Sequence, residues 1–315
     1  MSLLWRCLLF LACIPSGGAV LLKVWGIAPM AWTGLLFLLC LPVLGLGYVL
    51  RPELRPSLRL GFWGGLLGTI AYDVVRIPFH LVGFRVFAPI ETYGVWLLEA
   101  PHSTVWSEAL GWLYHFSNGI TFGLMYALWM GGRHWAWGLL WGVALESIVY
   151  STPFAEIFHL RHNAPALAIA YGAHLAYGYP LGALVAAQDS ADERISRLSA
   201  VSRWGLVLCV LFFCLSGIPG GLSRDQRVQV GRFGVEGIRL HPRWLRIASP
   251  GSIEIDNPGS EPVTLIQPSG QRQLEVPARS SRKWSFDRTG IYQVYVRTKD
   301  RSKSSFLIVE PVERL

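Results

Sequence analysis

Seven long apolar stretches, near residues 3–22, 28–50, 60–80, 105–130, 135–155, 165–187 and 204–222, set the terms on which this chain can fold. A helix crosses the hydrocarbon layer of a bilayer in about 20 residues, and each stretch approaches or exceeds that length. Composition agrees, because 52% of the 315 residues are hydrophobic, only 15% are charged and 14 are Trp, which is hard to fit to a soluble chain. The expected architecture is a polytopic α-helical membrane protein of about seven spans. Residues 1–59 would hold the N-terminal transmembrane helices, 60–190 a membrane bundle, and 191–223 a cytoplasmic loop and the last span. The first stretch also fits a cleaved signal peptide, with Arg6 followed by an apolar run and small residues at 16–19; a retained helix is the preferred reading.

Short cytoplasmic loops collect Lys and Arg. Arg51, Arg55 and Arg59 precede the third stretch, Arg133 sits in the tight turn at 131–134, and Arg194, Arg197 and Arg203 follow the sixth. These loops alternate as one side of a membrane requires. The last span then runs outward and residues 224–315 lie outside the cytoplasm, as suits a bacterial inner membrane protein. That segment carries 16 Lys/Arg against 10 Asp/Glu, a basic surface able to meet anionic lipid or an acidic partner; no nucleic-acid module is recognisable. All five cysteines fall in the apolar stretches, so the outer segment has neither a disulfide framework nor a thiolate metal cage.

The membrane part reads as a tandem repeat of helix pairs, 60–130 and 135–187. Trp63-Gly64-Gly65-Leu66-Leu67-Gly68 recurs as Trp137-Gly138-Leu139-Leu140-Trp141-Gly142. A carboxylate follows in each copy, Asp73 or Glu146, then Pro-Phe at 78–79 or 153–154, Phe-His-Leu at 79–81 or 158–160, and Ala-Pro at 88–89 or 164–165. Finally His115, Gly119 and Gly123 recur as His174, Gly178 and Gly182. Both copies start on the cytoplasmic side, which makes the repeat parallel rather than inverted. Glycines four apart let helices approach closely.

Ionisable residues inside a membrane are costly and turn towards a bundle interior, a cavity or one another. His80, His115, His159, His174, Asp73, Arg76, Glu146, Glu91 and Glu156 all fall in the outer half of their spans or at the outer ends. They are expected to line one outward-facing polar chamber near the C-terminal domain. Imidazole with carboxylate suits a transition metal, so His80, His115, His159, His174, Asp73 and Glu146 are candidate metal ligands. His115 and His174, at similar depth, could also hold a haem-type macrocycle. Interhelical hydrogen bonds, with Arg76 neutralising Asp73 three residues away, are the simpler use of the same residues. No G-x-S-x-G elbow, H-E-x-x-H zinc helix, P-loop or dinucleotide fingerprint is present.

Beyond Gly220-Gly221 the texture changes to short alternating runs broken by Pro, Gly, Ser and Asn, the pattern of a β-sandwich. Expected strands are 244–247, 252–256, 263–267, 272–276, 283–286, 291–297 and 304–310. The landmarks His241-Pro242, Gly251-Ser252-Ile253-Glu254-Ile255, Asp256-Asn257, Val276-Pro277-Ala278, Trp284-Ser285-Phe286, Gly290-Ile291-Tyr292 and Leu307-Ile308-Val309-Glu310 run in an order that resembles the cupredoxin family over residues 235–311. The resemblance implies a copper-binding sandwich, but a blue-copper site needs two His and a Cys. His241 is the one histidine of this segment, and Val296 stands near the position of the family's Cys. A copper-free, cupredoxin-like scaffold is expected.

Two functions fit these features. One is an integral membrane subunit of a larger complex, binding a metal or cofactor through histidines near the outer face, with the β domain docking a membrane or periplasmic protein. The other is an autonomous membrane metalloenzyme or transporter using the same His/carboxylate cluster. The first is preferred, since it asks nothing beyond the residues present.

Overall fold

The computed structural model describes residues 2–82, 84, 86–100, 103–158, 160, 163–187, 228–236, 239–241, 244–267, 272–287, 290–297 and 302–311. It is helical up to residue 186 and built of strands from residue 228. The helices are α1 (Ser2–Val24), α2 (Met30–Leu50), α3 (Arg55–Leu81), α4 (Ala88–Leu98), α5 (Val105–Met130), α6 (Ala136–Tyr150), α7 (Phe154–Ile157) and α8 (Ala164–Ala186). By length and composition, two of them are apolar enough to cross a membrane, Leu3–Val24 and Met30–Leu50. The seven expected spans are therefore met in part. Helices α3, α5 and α8 are long enough, but glycine, tyrosine and histidine dilute their hydropathy, as do the charges in α3. Helix α6 stops at Tyr150, short of the expected 155, because Pro153 cannot continue it. The stretch 204–222, with Cys209 and Cys214, and the loop carrying Arg194, Arg197 and Arg203 lie outside the described residues.

Two compact units divide the chain, Met1–Phe87 with Leu113–Arg224, and Ala88–Trp112 with Asp225–Leu315. The sequence reading kept 88–112 within the bundle; the contacts group it with the strands instead.

In the first unit the distribution of polarity on α3 is the inverse of a soluble helix. Its buried face carries Gly61, Gly64, Gly65, Gly68, Thr69, Asp73 and Arg76, three or four residues apart. Its exposed face carries Phe62, Trp63, Leu67, Ile70, Val74, Ile77 and Leu81. Glycine makes the inner face flat enough for two helices. A Cβ on Gly61 would stand 2.8 Å from the Gly123 carbonyl of α5, and one on Gly65 would stand 2.8 Å from Ile120 Cα. Gly64 and Gly68 face α8, at Leu181 and Tyr177. A second glycine contact joins α6 to α8, where a Cβ on Gly138 would stand 2.6 Å from Gly182 Cα. The sequence match aligned Gly64 and Gly68 with Gly138 and Gly142, yet the α3–α5 crossing uses Gly61 and Gly65. A three-residue offset turns a helix by nearly one full turn, so both sets remain near one face.

Around this core, α1 lies against α5. Arg6 donates to the Leu128 carbonyl, Tyr114 to the Ser16 carbonyl, and Ser16 bonds Asn118. At the α2–α3 connection, Arg55 donates to the Tyr48 and Val49 carbonyls at 2.8 and 2.9 Å, and Arg59 donates to the Tyr48 hydroxyl at 2.8 Å. These loop arginines satisfy carbonyls that the end of α2 leaves open, and they suit its dipole.

In the second unit α4 packs on the start of α5 through Gly94 against the Ser107 backbone and Gly111 against Ile90. Tyr295 donates to Glu99 at 2.5 Å. The strands are β1 (Val228–Glu236), β2 (Arg239–His241), β3 (Trp244–Asn257), β4 (Val263–Ile266), β5 (Gln273–Val276), β6 (Ser280–Phe286), β7 (Gly290–Arg297) and β8 (Ser302–Pro311). Their order is β2-β1-β3-β8-β7-β4-β5, with β6 also on β3. Strand β3 changes partner at Pro250: residues 244–249 pair with β8 in parallel, and 251–257 pair with β6 antiparallel. Two expected strands are thus one. Alternate residues Ile253, Ile255, Val263, Leu265, Trp284, Phe286, Val294 and Val296 form the core. Asn257 pins the 257–277 region, its amide donating to the Glu261, Val276 and Pro277 carbonyls at 2.8, 3.2 and 3.1 Å.

Candidate functional site

The polar cluster of the helical unit begins where the α3 glycines end. One turn beyond Gly68 and Thr69 the same face presents Tyr72, Asp73 and Arg76, so the close approach of α5 and α8 brings their side chains onto these three. His115 of α5 meets Asp73 with Nε2 at 3.1 Å from each carboxylate oxygen. Arg76 donates to the same carboxylate at 3.4 Å. Its guanidinium lies 4.7 Å from the Tyr72 ring centroid and 4.5 Å from that of Phe87. Asp73 and Arg76 are both buried.

A second pair lies alongside. His174 of α8 places Nδ1 3.2 Å from Oε2 of Glu146 on α6 and 3.0 Å from the Ala170 carbonyl. Tyr72 joins the two pairs, its ring centroid 5.7 Å from that of His115 and 4.8 Å from that of His174. The two imidazoles are therefore no farther apart than those two distances together. Glu146 is 2% exposed, and its Oε1 has no hydrogen-bond partner among the described residues. Arg76 lies within electrostatic reach of both Glu146 and His174.

Of the residues singled out in the sequence, the structure gathers Asp73, Arg76, His115, Glu146 and His174. His80 does not join them: it is exposed at the end of α3, its ring 5.3 Å from Phe87. Glu91 belongs to α4, in the other unit. His159, like His102 and His162, lies outside the described residues, as does the side chain of Glu156. Within the gathered set Asp73, Arg76 and Glu146 are buried, and His115 and His174 are half-buried. Tyr72 was missed because an aromatic residue in an apolar span carries no signal of its own. Its position three residues after Thr69 and one before Asp73 could have placed it on the polar face.

Chemically the cluster is two carboxylate–imidazole pairs, one reinforced by a guanidinium. Among the described residues no group of three His, Cys, Asp or Glu converges to hold a metal ion. Each imidazole places one nitrogen against a carboxylate and packs against Tyr72. In the strand unit, Val296 is a fully buried core residue of β7.

No family model matches the sequence, and no curated protein matches it. Among solved structures the chain is similar to an oxidised mutant of amicyanin, with 13% identity and a TM-score of 0.23 over 28% of this chain and 86% of that one. It is also similar to a heme-copper terminal oxidase, a dimer solved by cryo-electron microscopy, with 12% identity and a TM-score of 0.22 over 36% of this chain and 99% of that one.

Proposed function

We propose that this chain is a polytopic integral membrane subunit of a larger membrane complex. In this reading α1, α2, α3, α5, α6 and α8 and the stretch 204–222 cross the bilayer. Residues 224–315 lie outside the cytoplasm as a copper-free, cupredoxin-like docking domain, and the buried Asp73–Arg76–His115 and Glu146–His174 network is the functional centre of the bundle. The two glycine-packed helix pairs, α3 with α5 and α6 with α8, descend from one duplicated unit.

The polarity of α3 is the observation that carries this reading. Its outward face of Phe62, Trp63, Leu67, Ile70, Val74 and Ile77 would be a large apolar patch in water. In lipid the same arrangement is the stable one: small residues pack helix on helix, and charged groups pair inside. The apolar exterior of α2, with Trp32, Leu35, Leu36, Leu38 and Leu39 exposed, agrees. Reporter fusions test the topology. A fusion after Asp192 should read as cytoplasmic and one after Asp225 as external; the reverse at either point contradicts it.

A further inference from the structure

The charges inside the cluster do not balance. Asp73 and Arg76 cancel, and His115 lies against both Asp73 oxygens. Among the described residues Glu146 has no such support: its Oε1 is buried without a hydrogen-bond partner, and Oε2 lies 3.2 Å from His174 Nδ1. The hydrogen on that nitrogen can be located, because the Ala170 carbonyl 3.0 Å away only accepts. Nδ1 therefore carries a hydrogen, which it donates to the Ala170 carbonyl, while the Glu146 carboxyl lies 3.2 Å from the same nitrogen. An N–H that is 3.2 Å away and already given to another acceptor is poor solvation for a buried carboxylate. Arg76, the nearby cation, is already engaged by Asp73.

We infer that Glu146 and His174 form a binding site for one exchangeable proton, carried on the Glu146 carboxyl. In the loaded state the proton is bonded to Oε1, the acid is neutral, and Oε2 stays beside the His174 N–H. On unloading, the O–H bond breaks, the proton returns to water, and the carboxylate faces the hydrogen on His174 with Arg76 beyond it. A neutral acid beside a neutral imidazole avoids burying a second ion pair whose oxygen lacks a partner. A metal cation would ask for several oxygen ligands where one stands open, and Arg76 would repel it. Among the described residues, His174 of α8 lies 3.2 Å from Glu146, and Arg76 and Tyr72 of α3 lie within its electrostatic reach. The inference rests on the membrane reading only for its consequence, a proton held inside the bilayer.

Infrared difference spectra of the purified full-length protein in detergent, low pH minus high pH, test the site directly. A carboxylic-acid carbonyl band should appear at low pH, be absent in Glu146→Gln and persist in Asp73→Asn. His174→Phe removes the N–H nearest the carboxylate, so the band should then half-form at a proton concentration lower by about tenfold. That shift decides the matter even if Glu146→Gln does not fold. A band unchanged in Glu146→Gln, a half-point unmoved in His174→Phe, or a half-point that follows sodium or potassium concentration overturns the proposal. The spectrum is independent of topology, so a failed fusion test and a failed proton site are distinguishable.

Discussion

Replacing Asp73 with Asn keeps the volume of the side chain and removes the charge that balances Arg76, which is 4% exposed and has no water to turn to. Leaving one partner of a buried ion pair uncompensated costs about 3–5 kcal/mol. Arg76 keeps its contacts with the Tyr72 and Phe87 rings, each worth about 0.5–2 kcal/mol, so the low end, about 3 kcal/mol, is expected. Arg76→Met alone should cost a similar amount, because Asp73 then lies buried with only His115. The double variant leaves no unpaired charge, and replacing a whole buried pair is often close to neutral. Equilibrium unfolding in mixed detergent micelles, followed by tryptophan fluorescence, should therefore give a coupling energy of at least about 2 kcal/mol for the cycle. Additive single costs, or an Asp73→Asn cost below about 1 kcal/mol, would refute the claim that the two charges support each other.

Gly65→Ala forces a Cβ against the α5 backbone and should cost about 1–3 kcal/mol by overpacking, whereas Gly45→Ala, with nothing within 4 Å, should be neutral or slightly stabilising in the same unfolding assay. Tyr177→Phe removes the 2.7 Å bond from its hydroxyl to the Gly119 carbonyl and should cost about 0.6 kcal/mol, the average for an interhelical bond in a membrane. In the strand unit, Asn257→Ala leaves three carbonyls without their donor. At about 0.5–1.5 kcal/mol per bond, it should lower the thermal midpoint of the β signal in circular dichroism, and an unchanged midpoint would contradict the pinning role of Asn257.

Helix positions were legible because long apolar runs have one physical use, and α1, α2, α3, α5 and α8 lie close to their expected bounds. Helix α4 was not legible: residues 88–98 fall outside the long apolar stretches, and what orders the helix is packing through Gly94 and Gly111, which only the fold reveals. Strand β3 was split in two because Pro250-Gly251 is turn punctuation, yet here it is where the strand changes partner. Strand β1 escaped notice since Gly231 and Gly234 interrupt its alternation, and its parallel pairing with β3 is a long-range contact. In the cluster, Asp73, Glu146, His115 and His174 stood out because charge in an apolar run is rare and needs a partner. The partners themselves, His115 with Asp73 and His174 with Glu146, follow from the glycine crossings. His80 has similar chemistry but sits exposed beyond Pro78.

The central claim is that the bundle is built with its polarity turned inward for lipid. Nitroxide labels placed singly at Leu67, Ile70, Val74 and Ile77, in a background with the five cysteines replaced and the protein in bilayers, measure it directly. Collisions with oxygen, which concentrates in lipid, should be frequent at all four positions, and collisions with a water-soluble nickel chelate rare. Frequent chelate collisions along that face would show that α3 meets water there, and would contradict the account.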